Sequence, residues 1–376
     1  MVGRLIAVML VGLAGCAPVE APRGVYGVRT LPAGEGWAVR WSGAAPGLVV
    51  EVDGEAVAAP AGGPVWVAAD RARAVRVGEV VFTLPARPDP CAPLRFVVLG
   101  DGRAAVDGVG PSAYWAGILG EALALDPAFV VNTGDLVKNG DRPEEWPPYL
   151  ASLPPWPPMV AVRGNHDRGP AFYELGFAPG EVFGFTWGPV FVAGLDTSAP
   201  DERLDALFAE LEALLAASAA RWRVVVLHRP VWSRGNHGSD ERRVNDRLVP
   251  LLDRQEVDVV FAGHDHDYER FCVSRGVGVE RRCVPPGEGT LYVVTGGAAT
   301  FTNHVPGASK KVDPAVAAVD AAHSRVFSGA KHVVEVVIEG ERMMLVARRT
   351  RTGNVRPPAV IDRVELPARR AGSCRR

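Results

Sequence analysis

Five polar clusters in the middle of this chain carry side chains that bind cations. They are Gly100-Asp101-Gly102-Arg103, Gly134-Asp135-Leu136-Val137, Gly164-Asn165-His166-Asp167, the single His228, and Gly263-His264-Asp265-His266. Aspartate, asparagine and histidine supply the oxygen and nitrogen donors that borderline-hard divalent metals prefer. Each cluster follows a short apolar run, and ligand sites are normally built where such strands end. A glycine ahead of the polar residue lets the backbone turn sharply out of the strand. Five of the eight histidines lie between His166 and His266. One such cluster is a common turn; five in order point to a metal site. Covalent routes have no support, because the chain holds no Gly-x-Ser-x-Gly and none of its cysteines lies in a nucleophile or metal motif.

The elements that must position these residues read as alternating layers. Apolar runs at 94–99, 129–131, 160–162, 190–192, 224–227 and 257–262 are nearly continuous, as strands buried on both faces require. Amphipathic stretches at 112–125, 201–217 and 240–252 predict helices between several of them, which makes the main domain α/β. Further strands are expected at 291–295, 332–338, 343–349 and 360–366. Ahead of them, residues 25–84 show short β-type runs split by Gly, Pro and Asp, with no helical period. The expected organisation is a small all-β, sandwich-like domain over 17–86, a Pro-rich linker over 87–93, a catalytic domain over 94–366 and a tail over 367–376.

Composition sets the outer limits. At 376 residues, with 48% hydrophobic and 22% charged residues, the chain has material for a large folded core and is neither disordered nor a multi-span membrane protein. Lys+Arg 41 against Asp+Glu 43 is too balanced for a phosphate-backbone binder, so nucleic acid is not an expected partner. Residues 1–16 have the anatomy of an export signal: Arg4, an apolar run over 5–13, then Ala14 and Gly15. The tetrad Leu13-Ala14-Gly15-Cys16 resembles the bacterial lipobox, which implies lipid on Cys16 and an exported protein anchored to a membrane. The remaining cysteines are expected to pair as Cys272 with Cys283, closing a Gly-containing loop, and Cys91 with Cys374, tying the ends of the main domain, with free thiols as the alternative for each pair.

The ordered set resembles the calcineurin-like metallophosphoesterases. The runs His264-Asp-His-Asp-Tyr-Glu-Arg270 and Val293-Val-Thr-Gly-Gly297 are most similar to the purple acid phosphatase branch. The resemblance implies an α/β sandwich of two sheets flanked by helices, with two divalent or trivalent metal ions (Fe, Mn or Zn) at the strand ends. Carried over position by position, Asp135 bridges the ions, Asp101 and His266 complete one site, and Asn165, His228 and His264 hold the other. His166 becomes the general acid, with Asp167 orienting its ring, and His237 contacts substrate. The implied activity is hydrolysis of phosphomonoesters or diesters, on small molecules or exposed phosphoesters. The competing reading is a surface lipoprotein whose decayed phosphoesterase domain only binds.

One departure is specific. The family's first motif is Asp-x-His, but Arg103 stands at the His position, and the purple branch's substitute tyrosine is here Lys138. A guanidinium cannot ligate a metal. The Asp101 site is therefore expected to be one protein ligand short, with Arg103 holding substrate or carboxylate anions.

Overall fold

The computed structural model describes residues 25–33, 36–43, 48–104, 108–298, 301–302, 305–307 and 312–370. The segment expected to be an export signal, Cys16 and Cys374 lie outside them. Two sheets make up the main domain. One has six strands in the order Met159–Ala161, Val130–Asn132, Leu94–Leu99, His332–Glu339, Arg342–Arg349 and Ala359–Pro367. Its first three strands are parallel, and the last three add on antiparallel. The second has seven strands around a parallel centre of Val190–Leu195, Trp222–Leu227, Val259–Ala262 and Leu291–Thr295. The sheets face each other through aromatic packing: Phe96 stacks on Phe129 at 4.8 Å, and Phe129 meets Phe185 of the second sheet edge-on at 5.4 Å. Strands buried on both faces explain why their sequences read as unbroken apolar runs.

Helices cover the outer faces. Asp201–Ala217 spans the range its periodicity predicts and buries Leu204, Leu207, Phe208, Leu211 and Leu215, one stripe of a 3.6-residue period. The stretch expected to be helical from residue 240 begins only at Asn245, because Asp240 folds back and accepts the Val244 and Asn245 amides. Residues 112–125 are helical over Trp115–Leu123. Sequence periodicity missed the helix Pro314–His323 and the strands Val182–Trp187, Tyr268–Phe271 and Ser324–Ser328. Two of those strands form an edge of the second sheet, where polar residues alternate less regularly than the strand rule needs.

Before residue 85 the described elements are strands alone, in a three-stranded and a four-stranded sheet. Trp37 anchors this region to the main domain, meeting Trp156 at 5.1 Å and Trp187 at 4.5 Å. Cys272 and Cys283 are bridged at the base of a two-stranded ribbon, as the sequence implies. Cys91 is disulfide-bonded as well, while its expected partner Cys374 is outside the described residues.

Candidate metal centre

The clusters converge where the strands of the two sheets end. Asp101, Asp135 and His264 all adopt positive φ, at 63°, 55° and 70°, directly after strand or turn residues. A non-glycine residue is strained there by about 1 kcal/mol or more, and such strain concentrates at functional sites. The turn directs each side chain out of the sheet edge and inward toward the others. Ligand atoms of Asp101, Asp135 and His228 lie within 4.8 Å of one another, and all three residues are buried. Two glycines make room for the carboxylates. A Cβ on Gly164 would come within 2.2 Å of an Asp135 oxygen, and one on Gly263 within 2.5 Å of an Asp101 oxygen.

Ring orientations follow from backbone carbonyls. Nδ1 of His228 donates to the Thr133 carbonyl at 2.8 Å, so its Nε2 carries a lone pair in the neutral ring. That lone pair faces two oxygens, Asn165 Oδ1 at 3.0 Å and Asp135 Oδ1 at 3.4 Å. His266 repeats the pattern: Nδ1 donates to Phe301 O at 2.9 Å, and Nε2 faces Asp101 Oδ1 at 3.6 Å. Acceptors that converge without a proton between them repel unless a cation lies among them. His264 bonds the Glu241 carboxylate through Nε2 at 2.9 Å, which leaves Nδ1 as the nitrogen that could hold a metal. Its ring lies 5.0 Å from that of His228 and stacks on that of His237 at 3.8 Å.

The electrostatics point the same way. Burial, together with the neighbouring Asp135, pushes the Asp101 carboxyl well up. Burial alone would raise Asp135 too, but His228, His166 and Arg103 around it hold it below the usual carboxylate range. Burial lowers His228, takes His264 far down with help from His228 and His237, and brings His266 to about 4, with Arg103 adding to the effect. Two buried carboxylates beside neutral imidazoles make a donor set that fits divalent or trivalent metal ions. A second grouping among the described residues, Cys272, Cys283 and His323, is not such a site, because its sulfurs are already bonded to each other.

All ten residues singled out from the sequence lie in or around this site, and the contacts of one differ from the expectation. Asp167 does not orient the His166 ring. Its buried carboxylate accepts the amides of Leu136 at 2.8 Å, Val137 at 3.1 Å and Gly164 at 2.9 Å, so it ties the Asp135 loop to the Asn165 loop. His166 is held instead by the Lys138 carbonyl, 2.8 Å from Nδ1, and its own amide donates to Asp135 Oδ1 at 3.0 Å. Arg103 turns inward: Nε meets Asp135 Oδ2 at 3.3 Å, and its amide donates to the Asp135 carbonyl at 3.1 Å. His237 is fixed by Asp265, whose Oδ1 takes both the ring Nδ1 at 3.0 Å and the backbone amide at 2.9 Å.

Sequence reasoning missed Asp265 and Glu241. The first had a signal, since it sits between the two candidate ligands His264 and His266. The second had none; its loop reaches His264 only in three dimensions, where it also pairs with Arg229.

Comparison with known proteins agrees with this geometry. Residues 94–268 match the Calcineurin-like phosphoesterase family. Purple acid phosphatase 17 of Arabidopsis thaliana is 32% identical over 225 residues, 49% of this chain and 65% of that protein. Uncharacterized protein Rv2577 of Mycobacterium tuberculosis is 29% identical over 279 residues, 57% of this chain and 52% of that one. The chain thus spans between about half and two thirds of the length of these relatives. In structure, a purple acid phosphatase from yellow lupin (Lupinus luteus) seeds superposes with a TM-score of 0.72 at 17% identity, covering 92% of this chain and 75% of that one.

Proposed function

We propose, from the premise that residues 94–268 form a calcineurin-like phosphoesterase domain with purple acid phosphatase homologues, that this chain is a metal-dependent phosphohydrolase using two metal ions. Asn165, His228, His264 and Asp135 would hold one ion, and Asp101, His266 and the shared Asp135 the other. Such ions concentrate positive charge at the phosphoryl oxygens and make water a stronger nucleophile at neutral pH. The chain's own residues do the rest. With Nδ1 donating to the Lys138 carbonyl, His166 presents Nε2, and its doubly protonated ring would give the Nε2 proton to the leaving oxygen as the P–O bond to that oxygen breaks and a water oxygen bonds to phosphorus, leaving the neutral ring protonated on Nδ1. His237, anchored through Nδ1 to the Asp265 carboxylate, would donate from Nε2 to a phosphoryl oxygen when its ring is doubly protonated. Arg103 has five N–H donors in a fork, so it can hold Asp135 and still meet a substrate oxygen.

The observation that carries this reading is the lone pair of His228 Nε2 aimed at the oxygens of Asp135 and Asn165. Metal analysis with a panel of monoester, diester and pyrophosphate substrates tests it. About two ions per chain and hydrolysis abolished by chelation are expected. A protein that stays metal-free in supplemented medium and is inert on every substrate overturns it. That result would favour the binding-only alternative, whose one supporting observation is the loss of family ligands at Arg103 and Lys138.

Export and a lipid on Cys16 belong to the same proposal and rest on the Leu13–Cys16 tetrad. The Cys272–Cys283 bridge supports an oxidising compartment. Cys16→Ser should release the protein from membranes or block maturation. A soluble wild type cleaved elsewhere rules the anchor out.

A further inference from the structure

His237 sits on a loop whose two ends are both fastened by one arginine from elsewhere in the chain. At the start of the loop, the Trp232 ring lies under Arg281, with the guanidinium Cζ 4.2 Å from the ring centroid. At its far end, Ser239 Oγ donates to Oδ2 of Asp320, on the helix Pro314–His323, at 2.6 Å. Oδ1 of the same carboxylate accepts from Arg281 Nη2 at 2.9 Å. Between these ends the loop closes on itself and on Asp265. The Ser233 amide donates to Ser239 Oγ at 2.8 Å, and Ser233 Oγ donates to Asp265 Oδ2 at 2.5 Å. The other oxygen of Asp265 is the one that holds the amide and Nδ1 of His237. A continuous run of polar contacts therefore joins Arg281 to the His237 ring. Ser233, Ser239, Asp265, Asp320 and Arg281 are all buried, where such contacts are least weakened by water.

Arg281 is itself on a fastened segment. It lies two residues before Cys283 in the excursion that the Cys272–Cys283 bridge closes, and its guanidinium is 5.3 Å from the ring of Phe271, next to Cys272. A buried ion pair costs desolvation that apolar packing avoids, so stability alone is a weak reason for one. What the pair does supply is a fixed geometry at both ends of the His237 loop. Resting on the phosphohydrolase reading above, in which His237 contacts substrate, we propose that Arg281 is a positioning residue for His237. Together with Asp320 and Ser239 it sets where Nε2 meets the phosphoryl oxygen. It acts through these residues and not on the substrate, so its loss loosens the hold on phosphate and leaves the metal ligands and His166 in place.

A double-mutant cycle with metal-loaded enzyme and 4-nitrophenyl phosphate tests this. Arg281→Gln/Asp320→Asn removes the ion pair without leaving a lone buried charge, and Ser239→Ala cuts the loop from Asp320 while keeping the pair. Each should raise KM by about fivefold or more, hold kcat and metal content within about twofold, and add no further rise in a His237→Ala background. Melting temperature checks folding; if the ion-pair variant does not fold, Ser239→Ala decides. An unchanged KM beside a lowered melting temperature would make the network purely structural and overturn the proposal. Rises in KM of equal size with and without His237, or a fall in kcat at constant KM, overturn it as well. A wild type that hydrolyses nothing brings down the phosphohydrolase reading and this proposal with it, whereas turnover with an unaffected KM brings down this proposal alone.

Discussion

The two halves of the proposed metal centre would share Asp135 but are finished differently. Around His228, side chains supply a full set of candidate donors: His264 is backed by Glu241, Asn165 closes from the next loop, and both rings meet a protein oxygen. Around Asp101 the candidate donors among the described residues are Asp135 and His266, and a guanidinium stands where the family places a further ligand. Arg103 contacts the oxygen of Asp135 not used by His228 and His166, Oδ2 rather than Oδ1. The lesson is that a lost ligand need not leave a gap. Here it is replaced by a fixed positive charge that competes for the shared carboxylate, so one half should bind metal tightly and the other weakly.

Removing the shared ligand should erase the contrast. Asp135→Asn is expected to empty both halves and abolish most turnover, read as metal content and kcat. If one ion stayed bound in full, Asp135 would not be the bridge. His166→Ala should do the opposite, leaving metal content nearly intact while kcat falls by about 10²–10⁴. Loss of metal as complete as in Asp135→Asn would show His166 to be structural.

Arg103→His sharpens the comparison directly, because it restores Asp-x-His. The weaker ion should then survive dialysis, and KM for phosphate esters should rise by roughly tenfold. No change in either quantity would make Arg103 a bystander.

A buried acid outside the centre gives the smallest effect. Glu269 accepts the Arg234 amide and the Ser324 hydroxyl, and burial raises it to about 7. Because its folded pKa lies above its unfolded value of about 4.3, its contribution is fully present below that value and is lost as pH rises through about 7. Glu269→Gln, a neutral isostere, should therefore flatten the fall of melting temperature between pH 5 and 8. An unchanged slope would mean that another group sets it.

Much of the centre was legible because its signals are local. A glycine, a donor residue and a preceding apolar run sit within a few positions of one another, so Asp101, Asp135, Asn165, His228, His264 and His266 could each be read in place. The Asp201–Ala217 helix was legible for the same reason, its apolar stripe being complete in the sequence. The edge strands Tyr268–Phe271 and Ser324–Ser328 were not, since their pairing partners lie far along the chain and their own alternation is weak.

The sequence by itself determined which side chains could bind metal, their order along the chain and the strands that end at them. Only the tertiary structure decided what each one touches. Asp167 next to His166 looked like its orienting partner, yet the loop turns that carboxylate onto three amides and brings the Lys138 carbonyl to the ring. Arg103 could have faced solvent, yet it points at Asp135, 32 residues away. Such choices rest on carbonyls and carboxylates supplied by distant segments, and a backbone carbonyl has no residue type to announce it.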